Sequence, residues 1–241
     1  MPKDWFYFKQ FKIYQPYKDV MKVSTDSVLL GCYANVIGKN FGLDIGCGTG
    51  LLALMLAQKN SNLKIIAIDI NENAYKCAQQ NVLNSKFANQ IEVFKSSLQE
   101  FIQQFNQHLF DIIICNPPYY SNSLQSPIKY KNTYRHQEDL KYDELLNAVS
   151  LLMSNEGNFY VLIPYYEVNK FNEILQGFSL YIHSEMAVYS NANKPLPYLY
   201  IMDIKKEKTD KADFRKLIIM NDEGQYTEEY KKFTKDFYLN F

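Results

Sequence analysis

Phe41-Gly-Leu-Asp-Ile-Gly-Cys-Gly-Thr-Gly50, running straight into Leu51-Leu-Ala-Leu-Met-Leu-Ala57, decides the fold. Phe41 to Ile45 has the length and apolar character of a buried strand, and Leu51 to Lys59 reads as an apolar helix. Strand, glycine turn and helix in immediate succession are the setting that a nucleotide-type loop requires. Gly46, Gly48 and Gly50 let the main chain come close to a ligand, because no Cβ stands in the way. The spacing is G-x-G-x-G, without the further glycine that pyrophosphate binders carry three positions on. It therefore favours a nucleoside ligand lacking a bridging pyrophosphate. The next strand, Lys64 to Ile68, closes on Asp69, whose carboxylate can accept hydrogen bonds from both hydroxyls of a ribose. Asp44, just ahead of the loop, is placed to meet a cationic amine.

Downstream the same alternation repeats. Helix Glu72 to Leu83 leads to strand Ile91 to Phe94, which ends in Lys95-Ser96-Ser97. Helix Leu98 to Phe105 leads to the apolar run Phe110 to Cys115. Four βα units in a row make an α/β protein with a doubly wound, mostly parallel sheet and right-handed crossovers. Helices at Tyr142 to Leu152 and 166–176 and strands at Gly157 to Ile163, Phe178 to Tyr189 and Tyr198 to Lys205 complete a seven-stranded sheet whose last strand is antiparallel. One domain, 1–241, is expected. It comprises an aromatic, basic lid with the first helix (1–39), a core (40–205) and a basic C-terminal extension (206–241).

The Phe110 to Cys115 strand stops at Asn116-Pro117-Pro118-Tyr119. Ligands in open α/β sheets bind beyond the carboxyl ends of the strands, so the Asn is offered at that edge. An amino group conjugated to a ring, or a planar amide, is a poor nucleophile because its lone pair is delocalised. The Asn116 side-chain oxygen and the Pro117 carbonyl can each accept one of its N–H bonds. That holds the nitrogen and helps it pyramidalise toward an electrophile. Proline restricts the backbone and has no N–H to compete, and Tyr119 can stack on a flat target, typically worth ~1–3 kcal/mol for a base.

The flanks are less specific. Alternation from Phe6 to Ile13 suggests an extended segment or hairpin that either packs as a lid or touches nucleic acid. Ser24-Thr25-Asp26 starts a helix running to about Val36. The polar connection Ser121 to Asp139, with Lys129, Arg135 and His136, follows Tyr119-Tyr120 and suits a substrate flap or a solvated loop. The lysines and arginine beyond residue 205 read as a solvated basic face or as a phosphate-contacting edge. With 26 basic and 26 acidic residues the net charge is zero, so any polyanion must be bound by local clusters. The four cysteines (Cys32, Cys47, Cys77, Cys115) are scattered. They read as buried thiols in a reducing, cytoplasmic setting, with no metal site, and no leader or membrane-spanning run is expected.

Asp44 to Gly50, Asp69 and Asn116 to Tyr119, in that order, resemble the class I S-adenosylmethionine-dependent methyltransferases that act on amino groups, over roughly residues 40–205. A finer likeness lies in Phe8-Lys-Gln-Phe11, Met21-Lys-Val-Ser-Thr-Asp26, Leu29-Leu-Gly31, Arg135-His136, Tyr226-Thr227 and Asp236-Phe-Tyr-Leu239. These are similar to the bacterial tRNA (adenine-N6)-methyltransferases acting on valine tRNA. The resemblance implies S-adenosylmethionine as cofactor and an adenosine of the tRNA anticodon loop as substrate; the sequence does not fix the oligomeric state, and a monomer is the expectation. The resemblance puts the cofactor at Thr25, Asp26, Asp44, Gly46, Gly48, Gly50, Asp69, Ser97 and Asn116. Catalysis falls to Asn116, Pro117, Pro118 and Tyr119, and RNA contacts to Tyr119, Tyr120, Lys129, Arg135 and His136. Many relatives carry Gly at the Ser24 position, and an acidic residue near Ser96 or Ser97 that meets the cofactor adenine, a bond a serine accepts more weakly.

Neighbouring readings share the chemistry. Asn-Pro-Pro-Tyr also resembles protein glutamine-N5 methyltransferases, which usually carry a helical domain ahead of the glycine loop, where this chain has about 40 aromatic and extended residues. Guanine-N2 methylation of ribosomal RNA and adenine methylation of DNA are further options, the latter needing a larger recognition region. A reading of another class is a non-catalytic RNA-binding module that kept the fold, which binding of S-adenosylmethionine would distinguish.

Overall fold

The computed structural model describes residues 4–105, 109–117 and 140–241. The chain opens with a hairpin of β1 (Trp5–Tyr7) and β2 (Lys12–Tyr14), then helix α1 (Thr25–Tyr33). There follow β3 (Phe41–Ile45), α2 (Leu51–Lys59), β4 (Lys64–Asp69), α3 (Glu72–Leu83), β5 (Ile91–Lys95), α4 (Leu98–Gln104) and β6 (Phe110–Cys115). The second half contains α5 (Tyr142–Leu152), β7 (Met153–Pro164), a 3-10 turn (Tyr165–Glu167), α6 (Val168–Leu175), β8 (Tyr181–Asn191), β9 (Leu199–Lys205), β10 (Asp213–Met220) and α7 (Glu228–Thr234).

Among the described residues the main sheet has eight strands in the order β10-β8-β9-β7-β6-β3-β4-β5. β9 runs antiparallel to both its neighbours, and every other pairing is parallel. The seven expected strands are all present, and β10 is an addition. Part of what reads as a solvated basic extension pairs alongside β8, with Leu217 opposite Val188. The outer half of β10 is exposed, and Leu217 and Ile219 turn inward. Charge and strand coexist because only one face of an edge strand must be apolar.

Two apolar layers sandwich the sheet. One joins residues of α1, α2, α3 and α7 to Ile112, Ile114, Leu162 and Ile201. The other joins α4, α5 and α6 to Ile113, Phe159, Val161 and Met202. Alternating strand residues thus serve opposite layers, which is why β3, β4 and β6 read as unbroken apolar runs.

β7 starts at Met153, directly after α5, earlier than Gly157. Its pairing to β6 skips from Phe110↔Met153 to Ile112↔Asn158, so the intervening residues loop out of register. Gly157 permits this, because a Cβ there would collide with the Met153 side chain and come within 3.0 Å of main-chain oxygens.

The hairpin packs against the C-terminal segment. Phe6 and Phe8 lie against Tyr238, and Phe8 against Phe11. Lys9 donates to the carbonyls of Lys235 and Phe241, so this lysine braces the C-terminal segment. Asn81, buried on the inner face of α3, accepts from Tyr14 N–H at 2.8 Å and donates to the Tyr14 and Thr49 carbonyls.

Candidate active site

Three adjacent parallel strands carry the acidic and amide groups. Asp44 on β3 sits between Ala67 of β4 and Ile114 of β6, and Asp69 and Asn116 close those two neighbours. Residues distant in sequence therefore converge at one carboxyl edge of the sheet, where open α/β folds place ligands.

The loop between β3 and α2 is held from across the crevice. Gly46, Gly48 and Gly50 have φ of 68°, 55° and 78°, in the left-handed region that favours glycine. Asp69 Oδ2 accepts from Gly48 N–H at 2.8 Å, and Oδ1 from Asn71 N–H at 2.9 Å. Burial raises the Asp69 pKa and these two N–H donors lower it, with burial the larger effect. Each carboxylate oxygen has a second acceptor site, so the ribose role expected of Asp69 is compatible with its bracing of the loop. A Cβ at Gly46 or Gly48 would meet no atom within 4 Å, so the space in front of these residues is open. At Gly50 a Cβ would press on Ala78 at 3.2 Å, which identifies this glycine as a packing requirement of α3.

Asp44 is fully buried. Its Oδ2 accepts from Ala53 N–H at 3.0 Å, satisfying a first-turn donor of α2, whose N-cap Gly50 has no side chain for the task. Oδ1 is buried with no hydrogen-bond partner. Burial, and secondarily the nearby Asp69, push the Asp44 pKa up to about 7. An acceptor of this kind is suited to a cationic amine. Together with the open face of the glycine loop, it makes the crevice fit the cofactor that this fold uses.

The first turn of α1 brings the expected helix start and one group the sequence does not announce, Ser27, to the same edge. Ser24 is the N-cap, its hydroxyl accepting from Ser27 N–H at 3.2 Å. Asn116 Nδ2 donates to Ser27 Oγ at 2.9 Å, and Ser27 Oγ lies 3.0 Å from Ser24 Oγ. Tyr198 donates its hydroxyl to Asp26 Oδ1 at 2.9 Å, and burial raises the Asp26 pKa. Asp26, expected at the cofactor, thus already holds Tyr198 at the start of β9.

Ser97 has a structural partner as well. It caps α4 in a reciprocal box, accepting from Glu100 N–H at 3.1 Å while its own N–H donates to Glu100 Oε2 at 3.0 Å. Pro118, Tyr119, Tyr120, Lys129, Arg135 and His136 lie outside the described residues. Among the described residues no group of three or more His, Cys, Asp or Glu converges as a metal site, and no helix is long and apolar enough to cross a membrane.

Ser27 and Tyr198 escape sequence reading because a serine inside an apolar helix start and a tyrosine beside a strand carry no motif. Their partners lie 89 and 172 positions away. Asn81 had a usable signal, a polar residue sharing a helix face with Ala74, Cys77 and Ala78.

A sheet of this order with a glycine loop after its first main strand and an Asn-Pro-Pro ending β6 defines a class I methyltransferase. Residues 24–146 match the family model described as the methyltransferase small domain. The chain is 37% identical over 239 residues, covering 99% of both chains, to the tRNA1(Val) (adenine(37)-N6)-methyltransferase of Bacteroides fragilis. It is 36% identical over 241 residues, covering both chains fully, to the protein of the same name from Cytophaga hutchinsonii. The chain belongs to the tRNA1(Val) (adenine(37)-N6)-methyltransferase family. Among solved structures it is similar to a predicted O-methyltransferase of Agrobacterium tumefaciens, with TM-score 0.69, 15% identity and coverage of 88% and 96%. It is also similar to a ribosomal protein L11 methylase of Lactobacillus delbrueckii, with TM-score 0.54, 15% identity and coverage of 84% and 100%. At these identities the likeness is one of fold.

Proposed function

We propose that the protein transfers the methyl group of S-adenosylmethionine to the exocyclic N6 of an adenosine in the anticodon loop of valine tRNA, the adenine at position 37 in the names of its relatives. The observation that carries this reading is the Asn116 carboxamide. Its nitrogen donates to Ser27 Oγ, its oxygen is an acceptor by chemistry, and an acceptor at this strand end suits a nucleophile bearing N–H. A hydroxyl substrate of an O-methyltransferase would need a base, and Asn116 is not one.

When bound, the cofactor supplies an electrophilic methyl group on a sulfonium. The chain's own residues bind and orient. Asp44 Oδ1 would hold the cofactor's ammonium, Asp69 its ribose, and the glycine loop its tail. Asn116 Oδ1 and the Pro117 carbonyl accept the two N6 hydrogens, which localises the nitrogen lone pair toward the electrophile. The target adenine is unstacked from the loop and rests on Tyr119, as enzymes acting on a base require. Most of the acceleration is orientation. N6 loses a proton to solvent once methylated, so no strong base is needed. The test is incubation with labelled S-adenosylmethionine and unmodified total bacterial tRNA, followed by digestion and mass spectrometry. Label in N6-methyladenosine is expected. Label in 2-methylguanosine, or no label in tRNA with the cofactor still bound, would overturn the assignment.

A further inference from the structure

The amide of Asn116 can serve as an acceptor only if it is prevented from turning over. Rotation by half a turn about its Cβ–Cγ bond exchanges Oδ1 and Nδ2 at nearly equal volume. It would set a donor where the substrate nitrogen presents its own N–H. Packing alone discriminates poorly between the two orientations, because oxygen and NH₂ are similar in size. A hydrogen-bonding group on the far side of the amide must therefore decide.

Ser27 is such a group. It is 5% exposed, Asn116 is 8% exposed, and their polar atoms are 2.9 Å apart. Because Nδ2 has no lone pair to offer, Ser27 Oγ must accept. A serine hydroxyl could in principle donate to a flipped amide instead, and Ser24 bears on this choice. Its Oγ, which takes Ser27 N–H as the helix cap, is 3.0 Å from Ser27 Oγ and provides a place for the Ser27 hydroxyl proton. With its proton directed to Ser24, Ser27 presents only lone pairs to Asn116. We propose that Ser27, seated by Ser24, is a positioning residue for methyl transfer that holds the Asn116 carboxamide with Oδ1 toward the target amine. This rests on the reading of Asn116 as the acceptor of the N6 hydrogens.

The test is single-turnover methyl transfer from labelled S-adenosylmethionine to unmodified total tRNA. It compares the wild type, Ser27→Ala, Ser27→Thr, Asn116→Asp and the double variant Ser27→Ala/Asn116→Asp, with cofactor affinity measured by calorimetry and folding by melting temperature. Ser27→Ala should slow transfer about tenfold with cofactor affinity unchanged, while Ser27→Thr, which keeps the hydroxyl, should stay within about twofold of the wild type. Beside Asn116→Asp, whose two oxygens are equivalent acceptors, loss of the Ser27 hydroxyl should cost less than about twofold. A wild-type rate in Ser27→Ala overturns the proposal. So does an equal loss in both backgrounds, which would mark a role in helix packing only. If the added methyl of Ser27→Thr lowers the melting temperature, the comparison of backgrounds decides alone. A wild type that binds cofactor and leaves every adenosine unlabelled defeats the reading of Asn116 and is thereby distinguishable from failure of the Ser27 role.

Discussion

Asp44 Oδ2 holds Ala53 N–H, and on the proposed mechanism Oδ1 would take the cofactor's ammonium, a division with a pH signature. Its folded pKa of about 7 lies well above the ordinary carboxylate value of about 3.9. Between those values the folded protein holds a proton that the unfolded chain does not. The stabilisation is therefore complete below about pH 4 and is lost as pH rises through 7. A cationic amine at Oδ1 favours the ionised form, so cofactor binding should expel that proton. Between pH 5.5 and 7, below the titration of the cofactor's own α-amino group near ~7.7–8.0, affinity for S-adenosylmethionine should rise with pH. Asp44→Asn should flatten the rise. Calorimetry in buffers of different ionisation enthalpy measures the proton directly, and uptake instead of release would remove Asp44 from the amine.

The hairpin β1–β2 is tied to the catalytic crevice by one buried amide. Asn81 satisfies both backbone groups of Tyr14 and the Thr49 carbonyl beside the glycine loop. Removing a partner from a buried donor or acceptor costs about 1–3 kcal/mol per group, discounted where water can enter. Asn81→Ala should therefore cost roughly 2–3 kcal/mol, a fall in melting temperature of about 5–10 °C for a chain of this size. Limited proteolysis should cut first within the hairpin. An unchanged melting temperature would show that the aromatic contacts among Phe6, Phe8 and Tyr238 are sufficient on their own. Those contacts also explain the aromatic N-terminus. Among its aromatics, Phe8 and Phe11 are core residues and Phe6 packs against the core.

Across the whole molecule, legibility followed the physics of each signal. The central strands β3, β4, β6 and β7 could be read because buried parallel strands are mostly apolar runs, and β5, β8 and β9 because each alternates or carries β-branched and aromatic residues between helical or turn segments. β10 could not, because Asp213-Phe-Arg-Lys opens it with exposed residues and only Leu217 and Ile219 face inward. Leu217→Ala should cost about 2–4 kcal/mol, while Lys216→Ala on the exposed face should stay within about 0.5 kcal/mol, by denaturant unfolding. Equal small effects would return residues 206–241 to a solvated extension. Asp44, Asp69 and Asn116 were legible because each closes or precedes a strand end, where topology fixes the destination of a side chain. Ser27 and Tyr198 were not, because their importance lies in a contact between elements far apart in sequence.

Asn116→Ala, assayed for both S-adenosylmethionine affinity and transfer of labelled methyl to tRNA, separates orientation of the nucleophile from assembly of the site. Asn116 stands on the far side of Asp44 from the β4 edge that ends in Asp69. Transfer to adenosine N6 should fall at least about a thousandfold, with cofactor affinity within about twofold of the wild type. Retained transfer in this variant, or loss of cofactor binding along with it, would contradict the role of Asn116 on which the mechanism stands.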